Sequence, residues 1–178
     1  MTAPTPATTW SRPVALVVAA AFFMENLDAT ILSTATASIG RGYGVPAAAV
    51  GIAITAYLVA VAAFIPLGAW LAERWGSRPV FLGAVALFTL ASVACALSPD
   101  LGTLTLARLV QGFAGSMMVP IGRLVVLAET SKSDLVRAIA YLTWPALVAP
   151  VVAPLVGGLL TQYAGWPWIF VVNVPVGV

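Results

Sequence analysis

Residues 21–30, AFFMENLDAT, set two carboxylates, Glu25 and Asp28, inside an apolar run long enough to cross a bilayer. On insertion scales an acid at mid-span costs roughly 2.5–3.5 kcal/mol, so such a residue faces a bundle interior or water and marks a functional position. The two acids are three residues apart and share one face of a helix. That face calls for a compensating cation.

The rest of the chain fits a membrane setting. Of 178 residues 61% are hydrophobic and 8% charged, against roughly 45–50% apolar and 25% charged in soluble domains, and the mean hydropathy is +1.04. The lipid bilayer is therefore the first partner. Eight Lys+Arg and six Asp+Glu leave a net charge of only +2, and basic residues this scattered build no phosphate-tracking stripe, so nucleic acid is not an expected partner. A single cysteine, Cys95, excludes an intrachain disulfide and a multi-cysteine metal site. There is no His, so proton handling near neutral pH would fall to a carboxylate tuned by desolvation; no cofactor is expected. A membrane enzyme finds no support, because no metal-ligand cluster or nucleophile motif stands in a suitable setting.

Windows of ~20 apolar residues give five complete spans, 13–37, 47–72, 79–97, 101–128 and 137–162, and a truncated sixth over 167–178. The runs lack the alternation of barrel strands, so the spans are helices and the fold is an all-α bundle. Residues 1–12, MTAPTPATTWSR, are polar and Pro/Thr-rich and read as a disordered cytoplasmic tail. A cleaved signal peptide is set aside: its cleavage site, Ala35–Ala37, would follow two carboxylates, and further spans follow. GRGYG, residues 40–44, has the wrong Gly spacing for a phosphate loop and reads as a turn. With the N-terminus cytoplasmic, Arg12, Arg74, Arg78, Arg123, Lys132 and Arg137 fall at the inner side and only Arg41 lies outside. Trp166 and Trp168 read as interfacial anchors, and the sixth span stops short, as in a fragment or a cut gene.

Arg108, in the fourth span, is the cation that helix one requires. At 1.5 Å per residue Asp28 lies roughly 14 Å, and Arg108 roughly 10 Å, from the same side of the membrane. A purely structural ion pair is the plain alternative; the second acid, Glu25, favours a functional pair. Helices one and four would correspond if the spans formed two inverted triplets, an arrangement common in secondary transporters. Asn26, Thr30, Ser33, Thr34, Gln111 and Ser116 would then line a pathway, although hydroxyls in membrane helices commonly just bond backbone carbonyls. In helix five Pro145, Pro150 and Pro154 remove backbone donors while Gly157 and Gly158 permit close helix approach, so a bent and tightly packed helix is expected.

Between helices two and three, GAWLAERWGSRPVFL places Glu73, Arg74 and Arg78 around Gly76. This stretch resembles the major facilitator superfamily, whose corresponding loop reads G-x-L-a-D-r-x-G-r-k. Leu71, Arg74, Gly76 and Arg78 match; Glu73 stands for the Asp, Ala69 for the first Gly and Ser77 for a basic residue. LTLARLVQGFAGS resembles the helix-four pattern through Leu104, Arg108, Gln111 and Gly112, and APVVAPLVGG resembles the antiporter motif through Pro154, Gly157 and Gly158, with Ala149 and Ala153 in place of glycines. ENLDATI and WPWIFVVNVPVG are similar to helix-one and helix-six signatures of the fourteen-span drug:proton antiporters of the EmrB/QacA type.

The resemblance implies the N-terminal bundle of a multi-pass transporter of the cell inner membrane, exporting small amphipathic or cationic molecules in exchange for protons. Asp28, Glu25, Arg108 and Gln111 are then the proton-coupling and substrate residues, and Glu73, Arg74, Gly76 and Arg78 a conformational latch. A C-terminal half would be required for transport. The alternative is a truncated, non-transporting membrane protein that binds or regulates a full-length transporter.

Overall fold

The computed structural model describes residues 12–128, 130–131 and 134–177. The expectations for residues 1–11, Lys132 and Val178 lie outside these described residues. Among them the regular structure is entirely helical. Five helices are long and apolar enough to cross a membrane: α1 (Arg12–Tyr43), α2 (Gly51–Trp75), α3 (Ser77–Ala96), α4 (Leu101–Ala128) and α5 (Leu135–Tyr163). A 3-10 turn, Ala47–Val50, precedes α2, and two single-turn helices, α6 (Trp168–Val171) and α7 (Val174–Gly177), follow α5.

Three boundaries depart from expectation. Helix α1 runs through GRGY instead of ending at residue 37; Gly44, at φ 67°, then turns the chain so that Val45 N–H reaches Gly40 O at 2.9 Å, closing the helix in a Schellman-type cap. Arg12 begins α1 and is not part of the tail. The sixth segment is not one helical start but two turns separated at Val172 and Asn173. Pro175 has no N–H to return to Val171, so the helical hydrogen-bond ladder is interrupted across the break.

Helix–helix contact is most extensive for α2 with α4, α1 with α5, and α3 with α4. Exchanging the first triplet of spans for the second maps the α2–α4 contact onto α5–α1, whereas the α3–α4 contact has no counterpart of like extent between α1 and the short sixth segment.

Small residues set these seams. A Cβ on Gly112 would come within 2.5 Å of Tyr57 O and 2.9 Å of Ala60 Cβ, so α4 lies against the α2 backbone only because that side chain is a hydrogen. Helix α5 meets α1 along Ala138, Leu142, Ala149, Ala153 and Gly157, all buried. The two alanines that replace family glycines sit in this seam with no exposed surface. Gly158 does not share the role expected of it: its Cβ would meet nothing within 4 Å, because one residue further along the helix points away from α1. Pro150 and Pro154 are likewise exposed. Helix α5 therefore packs on one narrow seam, and its other faces, including Trp144, Val151 and Leu155, stay uncovered.

Trp166 is half-buried. Its ring lies 5.2 Å from Tyr43 and 6.4 Å from Phe170, closing the end of the bundle where α1 stops. Trp168 is exposed. At the same end Asp100 leads into α4: its Oδ1 accepts the Thr103 N–H at 2.9 Å and its Oδ2 the Thr103 hydroxyl at 3.0 Å. These bonds, the backbone one foremost, hold its carboxyl below the ordinary carboxylate range.

Two outcomes follow. Gly112→Ala should overpack the α2–α4 seam at a cost of about 1–3 kcal/mol and lower the melting temperature in detergent, while Gly158→Ala should leave it unchanged. Because the folded state holds Asp100 ionised, its contribution is full above the unfolded pKa and is lost as pH falls through the lowered folded value. Asp100→Ala should thus lower stability at neutral pH, and the gap from the parent should close in an acid titration followed by thermal melting.

Candidate functional site: a buried ion pair held by amides

Asp28 has no exposed surface and Arg108 only 1%. They meet across the α1–α4 contact, Arg108 Nη1 donating to Asp28 Oδ2 at 2.5 Å. Equal depth from one membrane face, reckoned in helical rise, is what brings them level.

The pair is embedded in neutral donors and acceptors. Arg108 Nη1 also donates to Gln111 Oε1 at 2.7 Å, one turn along α4. Gln111 Nε2 spends its two protons on Asp28 Oδ1 at 3.0 Å and Ser92 Oγ at 2.7 Å. Asn173 Nδ2, in the break between α6 and α7, donates to the same two oxygens, at 2.8 Å and 3.1 Å. The Ser92 hydroxyl gives its own proton to Phe88 O at 2.9 Å, so its one donor and both lone pairs are used. Cys95 completes Gln111 by directing Sγ at Oε1, 3.6 Å away. Each of the three hydrogen-bonding neighbours of Asp28 presents an N–H to a carboxylate oxygen.

Below the guanidinium lies the Tyr57 ring of α2, 4.1 Å from the Arg108 Cζ, near enough for cation–π attraction. Three buried polar atoms have no hydrogen-bond partner among the described residues: Glu25 Oε2, Arg108 Nε and Asn173 Oδ1. Each such atom costs free energy in this arrangement. Glu25 is 9% exposed and faces Gly115 of α4, with the Tyr57 hydroxyl close to the same glycine. It is thus a neighbour of the pair, not a ligand of Arg108.

Of the residues expected in the site, Asp28, Arg108 and Gln111 come together and Glu25 stands beside them. The other expected pathway residues do not join. Thr30, Ser33, Thr34 and Ser116 hydrogen-bond carbonyls of their own helices, the plainer of the two readings for hydroxyls. Asn26 likewise gives one N–H to Phe22 O. Ser92, Asn173, Tyr57 and Cys95 were not anticipated. Asn173 was within reach, since an amide in an apolar run obeys the same cost argument as a carboxylate; Ser, Tyr and Cys are too cheap in membranes to stand out.

The second group lies apart, at the turn between α2 and α3. That turn is one residue, Gly76, at φ 88°, a backbone state that favours glycine. Glu73, Arg74 and Arg78 are exposed around it. Arg74 lies 5.7 Å from the Trp70 ring, and Glu73 forms no ion pair among the described residues.

Five apolar spans packed around a sealed charged cluster define a polytopic helical membrane protein. The profile of the Major Facilitator Superfamily matches residues 18–178, and the chain belongs to that family. It is 41% identical over 162 residues to the putative multidrug resistance protein MdtD of Salmonella paratyphi B, and to that of Salmonella typhimurium. Each match covers 91% of this chain and 34% of the relative, so the chain spans about a third of the length of these relatives. In fold it is similar to a D-xylose–proton symporter (TM-score 0.80, 13% identity, 95% of this chain and 46% of the other). It is also similar to a bacterial homologue of the human lysosomal transporter Spinster (TM-score 0.77, 18% identity, 99% of this chain and 41% of the other).

Removing one partner of a sealed ion pair strands the other charge, at about 3–5 kcal/mol. Asp28→Leu and Arg108→Leu should each lower thermal stability in detergent by that order, and the double variant should recover part of the loss. Additive losses in such a cycle would mean that the two side chains do not interact.

Proposed function

We propose that this chain is the N-terminal portion of a proton-coupled secondary transporter of the fourteen-span branch, which exports small amphipathic molecules by antiport. It would sit in the inner cell membrane with its N-terminus cytoplasmic, as the basic residues at one end of the bundle favour. A C-terminal half would complete the path. The single observation that carries the reading is the sealed Asp28–Arg108 pair.

The physics of that pair supports a coupling role. With Asp28 ionised, the guanidinium is neutralised where it stands and the amides of Gln111 and Asn173 have an acceptor. A proton on Asp28 cancels the countercharge and leaves Arg108 without compensation in a low-dielectric interior. A penalty of about 3–5 kcal/mol is close to the ~5.5 kcal/mol needed to drive a two-state equilibrium from 1:99 to 99:1. Protonation can therefore favour a second arrangement in which water or another acceptor serves Arg108. Glu25, sealed against Gly115 with an unpartnered oxygen, suits a second proton better than a cationic substrate.

Glu73, Arg74, Gly76 and Arg78 would act as the latch that holds one arrangement, with Gly76 keeping α2 and α3 in a one-residue turn. Pro154, Gly157 and Gly158 of the antiporter motif would divide their tasks. Gly157 fixes α5 to α1, while the outward Pro154 and Gly158 belong to the uncovered face.

In the intact transporter reconstituted in vesicles, Asp28→Asn and Arg108→Ala should each abolish substrate efflux driven by an imposed pH gradient. Efflux at the parent rate in either variant would remove the pair from the coupling mechanism.

A further inference from the structure

A cleft of about 320 Å³ opens between α1, α4 and α5, on a side of α1 that Asp28 does not share. We propose that it binds the acid group of an amphipathic carboxylate, with Arg123 as the anion contact and Phe22, Val119 and Leu147 holding the apolar body. The inference rests on the transport reading above and narrows its substrate class.

Arg123 stands more than one helical turn inside the end of α4, with its side chain exposed to the cleft. Among the described residues no acid pairs with it. At the inner side of the bundle, a guanidinium set five residues inside its helix end reaches water or a counterion through the cleft. This face of α4 is therefore a place where an anion is stabilised. Among the described residues no acid lines the cleft: Glu25 and Asp28 are both buried elsewhere around α1.

The remaining polar groups sharpen the class. Asn26 gives one amide proton to Phe22 O at 2.8 Å, which leaves its other N–H available in the same cleft. Thr143 has already spent its proton on Ile139 O at 2.8 Å and can only accept. Among the described residues lining the cleft, free donors thus belong to Arg123 and Asn26, a planar cation and one amide, the set that pairs with a carboxylate. The volume falls at the small end of ligand sites, roughly 300–1,000 Å³, enough for a two-ring body.

Three near-isosteric probes separate charge from shape: 2-naphthoate, 2-naphthamide and 2-naphthylmethylammonium, measured by equilibrium dialysis against the purified intact protein. The acid should bind about tenfold or more tightly than the amide, as a charge-assisted contact implies, and the ammonium least. Arg123→Gln should erase the preference for the acid while leaving amide affinity and melting temperature unchanged, and Arg123→Lys should keep part of it. Equal binding of acid and amide by the parent, no binding of either, or a preference that survives Arg123→Gln would overturn the site. So would a fall in melting temperature without a change in binding, the mark of a guanidinium paired with another part of the protein. Selective binding of naphthoate by a protein without pH-driven efflux would sink the transport reading alone. PH-driven efflux of the ammonium with no affinity for the acid would sink this inference alone.

Discussion

The Asp28–Arg108 pair constrains this bundle because neither charge can leave its place without the other. Both are sealed from the surface, and at such depth an isolated ion costs several kcal/mol. Their neighbours are chosen accordingly. Gln111 has both donors and both acceptor positions filled, Ser92 likewise, and Asn173 contributes both of its protons. Helices α1, α3 and α4 and the α6–α7 break thus meet at one polar point inside an otherwise apolar core.

Seams of small residues let that point exist. Guanidinium and carboxylate reach each other only if α1 and α4 hold their depth, and the wide contacts that hold them are α1 with α5 and α2 with α4. Gly112 lets α4 approach the α2 backbone, and Gly157, Ala153 and Ala149 do the same for α5 on α1. In lipid there is no hydrophobic force to pull helices together, so close backbone approach and its dispersion contacts must supply the cohesion. The Tyr57 ring, carried by the helix that Gly112 admits, then lies beneath Arg108.

Much of this was legible in the sequence, and the reasons are uneven. Hydropathy yields the five spans because bilayer thickness sets helix length, but it does not see caps, so α1 overruns its apolar stretch to the Schellman turn at Gly44. Asp28 and Arg108 stood out because ions are expensive in hydrocarbon, and helical rise matched their depth. Ser92, Tyr57 and Cys95 did not, since residues of their kind occur throughout membrane helices for ordinary reasons. Gly157 and Gly158 look alike in the sequence, yet one residue of helical rotation sends one into α1 and the other outward. Rotation about an axis is what composition cannot reveal until the partner helix is known.

The faces of α1 carry different chemistry, and this bears on how a proton and a solute could be linked. Asp28 and Asn26 are two residues apart, so their side chains diverge by about 200° around the helix. One enters the ion-pair cluster with α3, α4 and Asn173; the other lines the cleft with α4 and α5. Helix α4 repeats the division, with Arg108 in the cluster and Arg123 in the cleft. Both sites are shaped by the same two helices, so under the proposed transport reading no wire between them would be needed: a shift of α1 against α4 at the ion pair would alter the space that Arg123 faces.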